Sequence, residues 1–105
     1  MSGLRFDWDP KKSRTNQLKH GVSFEEAKSV FFDEHGLLID DPDHSDEEER
    51  LILLGFSASL RLLVVCHCYR TSGNVIRIIS ARKADRHECN EYMQSMWPME
   101  NSIFW

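Results

Sequence analysis

The chain has 105 residues, 41% of them hydrophobic and 29% charged, the balance of a single water-soluble domain built on one core. No apolar run approaches the ~20 residues needed to span a bilayer, and the first twenty residues are too polar for a signal peptide, so a cytoplasmic protein without membrane contact is expected. The formal net charge of −4 weighs against a nucleic-acid partner only until its distribution is considered: seven of the seventeen acids lie in Asp40–Glu49, and the remaining ten face thirteen cations.

Leu4–Trp8 alternates apolar and polar residues and reads as a first strand, with Leu4, Phe6 and Trp8 on one face. Asp9-Pro10 is a helix start, an N-cap acid followed by proline at the first helical position; the mostly polar helix over Pro10–His20 stops at Gly21. Ser23 and Glu26 form a second start signal, a capping box, and Phe24, Ala27, Val30 and Phe31 supply that helix's apolar stripe. Leu37–Asp40 reads as a strand, followed by the acidic segment as an exposed loop. Arg50–Ser57 and Leu60–Arg70 are two strands of a hairpin. The unbroken run Leu62–Cys66 marks the second of them as central, with both faces covered. A turn over Thr71–Asn74 leads into a strand rich in β-branched residues, Val75, Ile76, Ile78 and Ile79. A helix carrying Cys89, Tyr92, Met93 and Met96 on one stripe follows. The expected fold is α+β: a mostly antiparallel sheet of about five strands, two N-terminal helices and one C-terminal helix, all in one domain over 1–105. Pro98 breaks the last helix, and the apolar tail Trp97–Trp105 is expected to fold back on the domain.

Cations gather where the last strand meets the last helix: Arg77, Arg82, Lys83 and Arg86. Guanidinium groups clamp phosphate oxygens through paired hydrogen bonds, so this junction suits a polyanion; it also suits a solvated strand end paired with Asp85 or Glu88. Simple alternation places Arg77 with Val75 and Ile79, and Arg82 on the opposite face with Ile76, Ile78 and Ser80. Arg82 and Arg86, four apart, would stack on one side of a helix. An arginine between isoleucines in mid-strand, as Arg77 is, must find an anion or a carbonyl. A second basic cluster, Lys11, Lys12, Arg14, Lys19 and His20, lies on the first helix. Lys12 and Lys19 share a face there, either as ordinary helix surface or as a track for a nucleic-acid backbone.

Among the histidines, His44 precedes the strand that begins at Arg50 and is the candidate for proton transfer. His20 suits the negative end of the first helix, and His67 lies within a buried strand. Cys66, Cys68 and Cys89 lack the paired spacing of a disulfide framework or a zinc site and read as reduced, small hydrophobes. Asp41-x-Asp43-x-Ser45 fails as a calcium loop, because the glycine and the closing glutamate are missing, and no metal or cofactor is expected. The phosphate-loop, nucleophile-elbow and zincin motifs are absent.

Four separated stretches resemble the BrnT toxins: Phe6–Lys11; Asn16 with Lys19–Ala27; His44-Ser45 with Glu48–Arg50; and Arg77–Ala84 with Glu88 and Tyr92. The resemblance implies a RelE-like fold and metal-independent endoribonuclease activity that arrests translation. It further implies neutralisation by a ribbon-helix-helix antitoxin of the BrnA kind, as a dimer or heterotetramer, with DNA contacted only through that antitoxin. The chain departs from the family in its acidic net charge and in Leu60, where the family tends to place glycine before the hairpin arginine. On this reading Arg77, Arg82 and Arg86 hold the scissile phosphate, His44 is general base or acid, and Arg50 is an orienting neighbour. Lys11, Lys12, Lys19 and Lys83 then follow the RNA backbone. Trp8 is either a stacking platform or, continuing the Leu4 and Phe6 face, core. The rival is a non-enzymatic module whose arginine face docks an acidic partner, including a degenerate toxin that only binds its antitoxin.

Overall fold

The expected first strand is present as β1 (Arg5–Asp7), and Asp9 then starts α1 (Pro10–His20) by accepting the Lys11 backbone N–H at 3.0 Å. The structure, a computed structural model, describes residues 5–40, 50–70 and 74–96; His44, most of the acidic segment and the apolar tail lie outside these. Gly21 closes α1 in the left-handed region at φ 72°, its N–H returning to the Gln17 carbonyl. The reversal sends Val22 and Phe24 into the core. Ser23 caps α2 (Phe24–Ser29), which tightens into a 3₁₀ turn over Val30–Phe32. β2 (Leu37–Asp40), β3 (Leu51–Phe56), β4 (Leu62–Arg70), β5 (Val75–Lys83) and α3 (Arg86–Met96) complete the order. The sheet runs β1-β5-β4-β3-β2, antiparallel except for the parallel β1–β5 edge. β4 is central, as its unbroken apolar run requires. No helix among the described residues is long and apolar enough to cross a membrane.

Each sheet face has its own cover. Val22, Phe24, Ala27 and Val30 pack on Leu53, Leu63, Val65, Ile78 and Ala81, with Trp8 against this core and its ring edge-on to Phe24. On the opposite face Tyr92 of α3 packs with Leu54 and Val64, and its hydroxyl donates to Asp33 at 2.7 Å. Burial works against the Asp33 charge, but the Phe56 N–H and the Tyr92 hydroxyl hold its carboxyl below the usual range. Gly55 permits this approach, since a Cβ there would meet Asp33 Oδ2 at 3.0 Å. The capping box is only half formed. Ser23 accepts the Glu26 N–H, but the Glu26 carboxylate turns instead to Arg61 Nε (2.9 Å) and Ser57 Oγ (2.7 Å). The bonds from Arg61 hold that carboxyl below its ordinary pKa and staple the β3–β4 turn to α2.

One sequence expectation is corrected. Arg77 stands opposite Cys68, Ser80 opposite Cys66 and Arg82 opposite Val64, with a register shift between Cys66 and His67. Residues 64, 66 and 68 share one face of β4, so Arg77, Ser80 and Arg82 share that face of β5. Ile79 is the extra residue of a β-bulge, which simple alternation cannot foresee. The helix also starts later than the stacking of Arg82 on Arg86 requires: Arg82 is still in β5, and α3 begins at Arg86.

Beyond the three residues paired with β1, the edge of β5 is sealed by a side chain. Asn16 Nδ2 donates to the Ala81 carbonyl at 2.8 Å, and Oδ1 accepts the Ala81 N–H at 3.2 Å. The second hydrogen of Nδ2 goes to the Val22 carbonyl at 2.8 Å. The amide thus imitates a neighbouring strand and fixes α1 along the edge. Asn16→Leu strips partners from buried backbone groups and should cost about 2–4 kcal/mol, read by urea unfolding. The hairpin loop takes the opposite sign. Ala58, Ser59 and Leu60 form a three-residue connection whose last position is left-handed, and Leu60 occupies it at φ 63° while 80% exposed. Leu60→Gly should therefore stabilise the protein by about 1 kcal/mol in the same measurement. His67 adds a pH dependence. Fully buried between Phe31 and Tyr69, it has its pKa pushed down by desolvation, weakly opposed by its bond to the Val65 carbonyl. Below pH ~6.5 the unfolded chain gains a proton that the folded chain refuses, so stability falls as pH drops, by at most about 1.4 kcal/mol per pH unit. His67→Phe should flatten unfolding free energy between about pH 6.5 and 5, above the range where carboxylates titrate.

Candidate nucleic-acid interface

Because Asn16 holds α1 against the free edge of β5, the basic side chains of α1 border the sheet. Lys11, Lys12, Lys19 and His20 line a recess of ≈ 310 Å³ whose other wall is Ile79 and Ser80. A second recess, of ≈ 250 Å³, opens on the sheet face beside it, with Arg50 and Arg82 among its walls and Val64, Cys66 and Ser80 lining it. His20, Ile79 and Ser80 line both, so the two recesses adjoin and together make a groove with a cationic lining. Concentrated positive charge over an apolar floor is how a protein holds a phosphodiester backbone against solvent.

Arg82 is oriented before any ligand arrives. Its guanidinium forks onto Glu88, donating at 2.9 and 2.7 Å, and these bonds raise the Arg82 pKa and lower that of Glu88. Glu88 is itself held at the start of α3, where it accepts the Asp85 N–H while Asp85 accepts the Glu88 N–H, each at 2.9 Å. The arrangement is a capping box with an arginine docked on it. It gives Arg82 a defined direction, and an incoming phosphate must share or displace the carboxylate.

The other sequence candidates divide. Lys11, Lys12 and Lys19 come together in one recess, and Arg50 and Arg82 in the other. Arg77 lies on the same sheet face as Arg82 but, four β4 residues away in register, about 13 Å along it. Its mid-strand charge is met by Asp7 of β1 at 2.7 Å. Arg86 opens α3 and lines neither recess. Lys83 alternates onto the α2 face, where its charge acts on Glu26. His44 is outside the described residues. Ser80 was not among the sequence candidates, because it needed the bulge to reach the groove. His20, expected within the basic cluster of the first helix, does line the groove, and Lys12, Asn16 and His20 fall at i, i+4 and i+8, one stripe of α1.

The sequence matches the family model for the ribonuclease toxin BrnT of type II toxin-antitoxin systems over residues 8–88. No curated protein matches it. Among solved structures it is similar to the ribonuclease toxin BrnT of Brucella abortus, determined at 1.1 Å. That match has a TM-score of 0.59 and 21% identity over 79% of this chain and 99% of the other, a likeness of fold. A family match across most of the chain, on a fold shared with a solved member, settles its kinship: the chain belongs to the BrnT family of ribonuclease toxins of type II toxin-antitoxin systems.

Proposed function

We propose that the chain is a metal-independent endoribonuclease whose cleavage of RNA arrests translation, and that a ribbon-helix-helix antitoxin which also carries the DNA contacts neutralises it. The observation that carries this reading is the pair of adjoining recesses, one walled by α1 lysines and the other by Arg50 and Arg82. RNA brings its own nucleophile, the 2′-hydroxyl. The protein has only to move protons and stabilise negative charge building on the phosphorus, and preorganised charge of that kind usually contributes most of the acceleration in such catalysis. Arg82 with Arg50 is assigned to the phosphate, and Lys11, Lys12 and Lys19 to the flanking backbone. His44 keeps one of the two proton transfers. Arg77 and Arg86 are assigned to more distant phosphates of a bound strand, along with Lys83. The cationic lining itself repels a divalent ion, which favours chemistry without one.

One observation favours the rival reading. Arg82 and Arg77 already bind carboxylates, those of Glu88 and Asp7, so the same forks would suit acidic side chains of a partner protein.

A single assay separates the two. Purified protein incubated with total RNA in excess EDTA should cleave it, and Arg82→Ala should cleave about 10²–10³-fold more slowly while remaining folded. Intact RNA at high protein concentration favours the binding module. A folded Arg82→Ala protein as active as the parent removes Arg82 from the chemistry.

A further inference from the structure

We propose that His20 is the proton acceptor for the 2′-hydroxyl, a role that rests on the ribonuclease reading above and that falls to no residue of α1 on sequence grounds. His20 lines both recesses, between the lysines on one side and Arg50 and Arg82 on the other. The other ionisable groups on the groove are donors. Arginine does not give up its proton in proteins, a lysine ammonium has donors and no acceptor, and a cysteine sulfur is only a weak acceptor. The Asn16 amide is committed to Ala81 and Val22. A neutral imidazole, by contrast, carries one unprotonated ring nitrogen and changes charge between about pH 5 and 8. His20 is the one imidazole lining these recesses among the described residues.

Its placement is built rather than incidental. Asn16, one turn earlier, is anchored to β5, and the left-handed Gly21 directly after it ends the helix. Arg61 holds that end by donating to the Gly21 carbonyl at 2.9 Å. The imidazole thus hangs from a backbone pinned on both sides, while its ring stays exposed to the groove.

The step balances without a metal or cofactor. A His20 ring nitrogen takes the 2′-proton as the O2′–P bond forms, and the P–O5′ bond breaks. The leaving O5′ takes a proton from water or from the second proton-transfer group. The products are a 2′,3′-cyclic phosphate and a 5′-hydroxyl, and the imidazolium returns its proton to solvent.

The test compares His20→Gln with the parent in EDTA, following single-turnover cleavage of a short RNA from about pH 5 to 8 and, separately, affinity by fluorescence anisotropy. The parent rate should climb with pH and level off. The variant should bind RNA as the parent does, cleave about 10²–10⁴-fold more slowly and lose that climb. His20→Ala should regain activity in proportion to added imidazole, a response that a purely structural defect cannot give. The proposal is overturned if folded His20→Gln cleaves like the parent. It is equally overturned if the variant slows with the pH profile unchanged, or if His44→Gln alone abolishes the climb; the ribonuclease reading survives each of these. If the parent leaves RNA intact, that reading fails and takes this proposal with it.

Discussion

Two hydrogen bonds between the Asn16 amide and Ala81 govern how the rest of the molecule is arranged. A sheet edge exposes backbone donors and acceptors that must be satisfied, and β1 satisfies only the first part of β5. Below it the edge is met by one polar side chain rather than by another strand. The consequence is functional as much as structural, because a helix attached at that point carries its lysines to the rim of the sheet. α1 is too polar to be held by apolar burial, Asn16 being its sole buried residue among those described, so its position depends on this polar contact.

The arginines illustrate a different balance. A guanidinium on a sheet face is costly to leave uncompensated, and both Arg77 and Arg82 have a carboxylate within hydrogen-bonding distance. Such half-exposed pairs contribute little to stability, and their main effect is to restrict where the side chain points. For Arg82 the restriction comes from a helix cap, which ties the direction of the charge to the seating of α3. The acidic net charge of the chain and its cationic groove are compatible for the same reason: charge acts through where it is placed, and the densest acids fall in the segment 40–49.

Much of this was legible in the residues themselves. Asp9-Pro10 and Gly21 mark both ends of α1, and Leu62–Cys66 announced the central strand, because caps and burial patterns are local signals. The parallel β1–β5 pairing was not legible, since it joins segments seventy residues apart with no local trace. Nor was the partner of Arg61, whose bonds to Glu26 cross thirty-five residues. Leu60 lies between these cases. The departure from glycine was visible in the sequence, but only the backbone shows that the position is left-handed and that the chain tolerates leucine there. Site residues divide the same way: the lysines and His20 of α1 follow from helical periodicity, whereas Ser80 depends on the bulge in β5.

A strand's backbone groups alternate in direction just as its side chains do, so the bulge at Ile79 resets both at once. β5 is in effect two half-strands spliced out of phase, the upstream half keyed to β1 and the downstream half keyed to α1. Were Ile79 to take a regular place in the ladder, Ala81 would turn its amide toward β4, Asn16 would have nothing to grip, and Arg82 would enter the hydrophobic core opposite Leu63. The chemistry of the groove and the docking of its helix are therefore inherited together, as a single reading frame set by which residue of β5 stands outside the ladder.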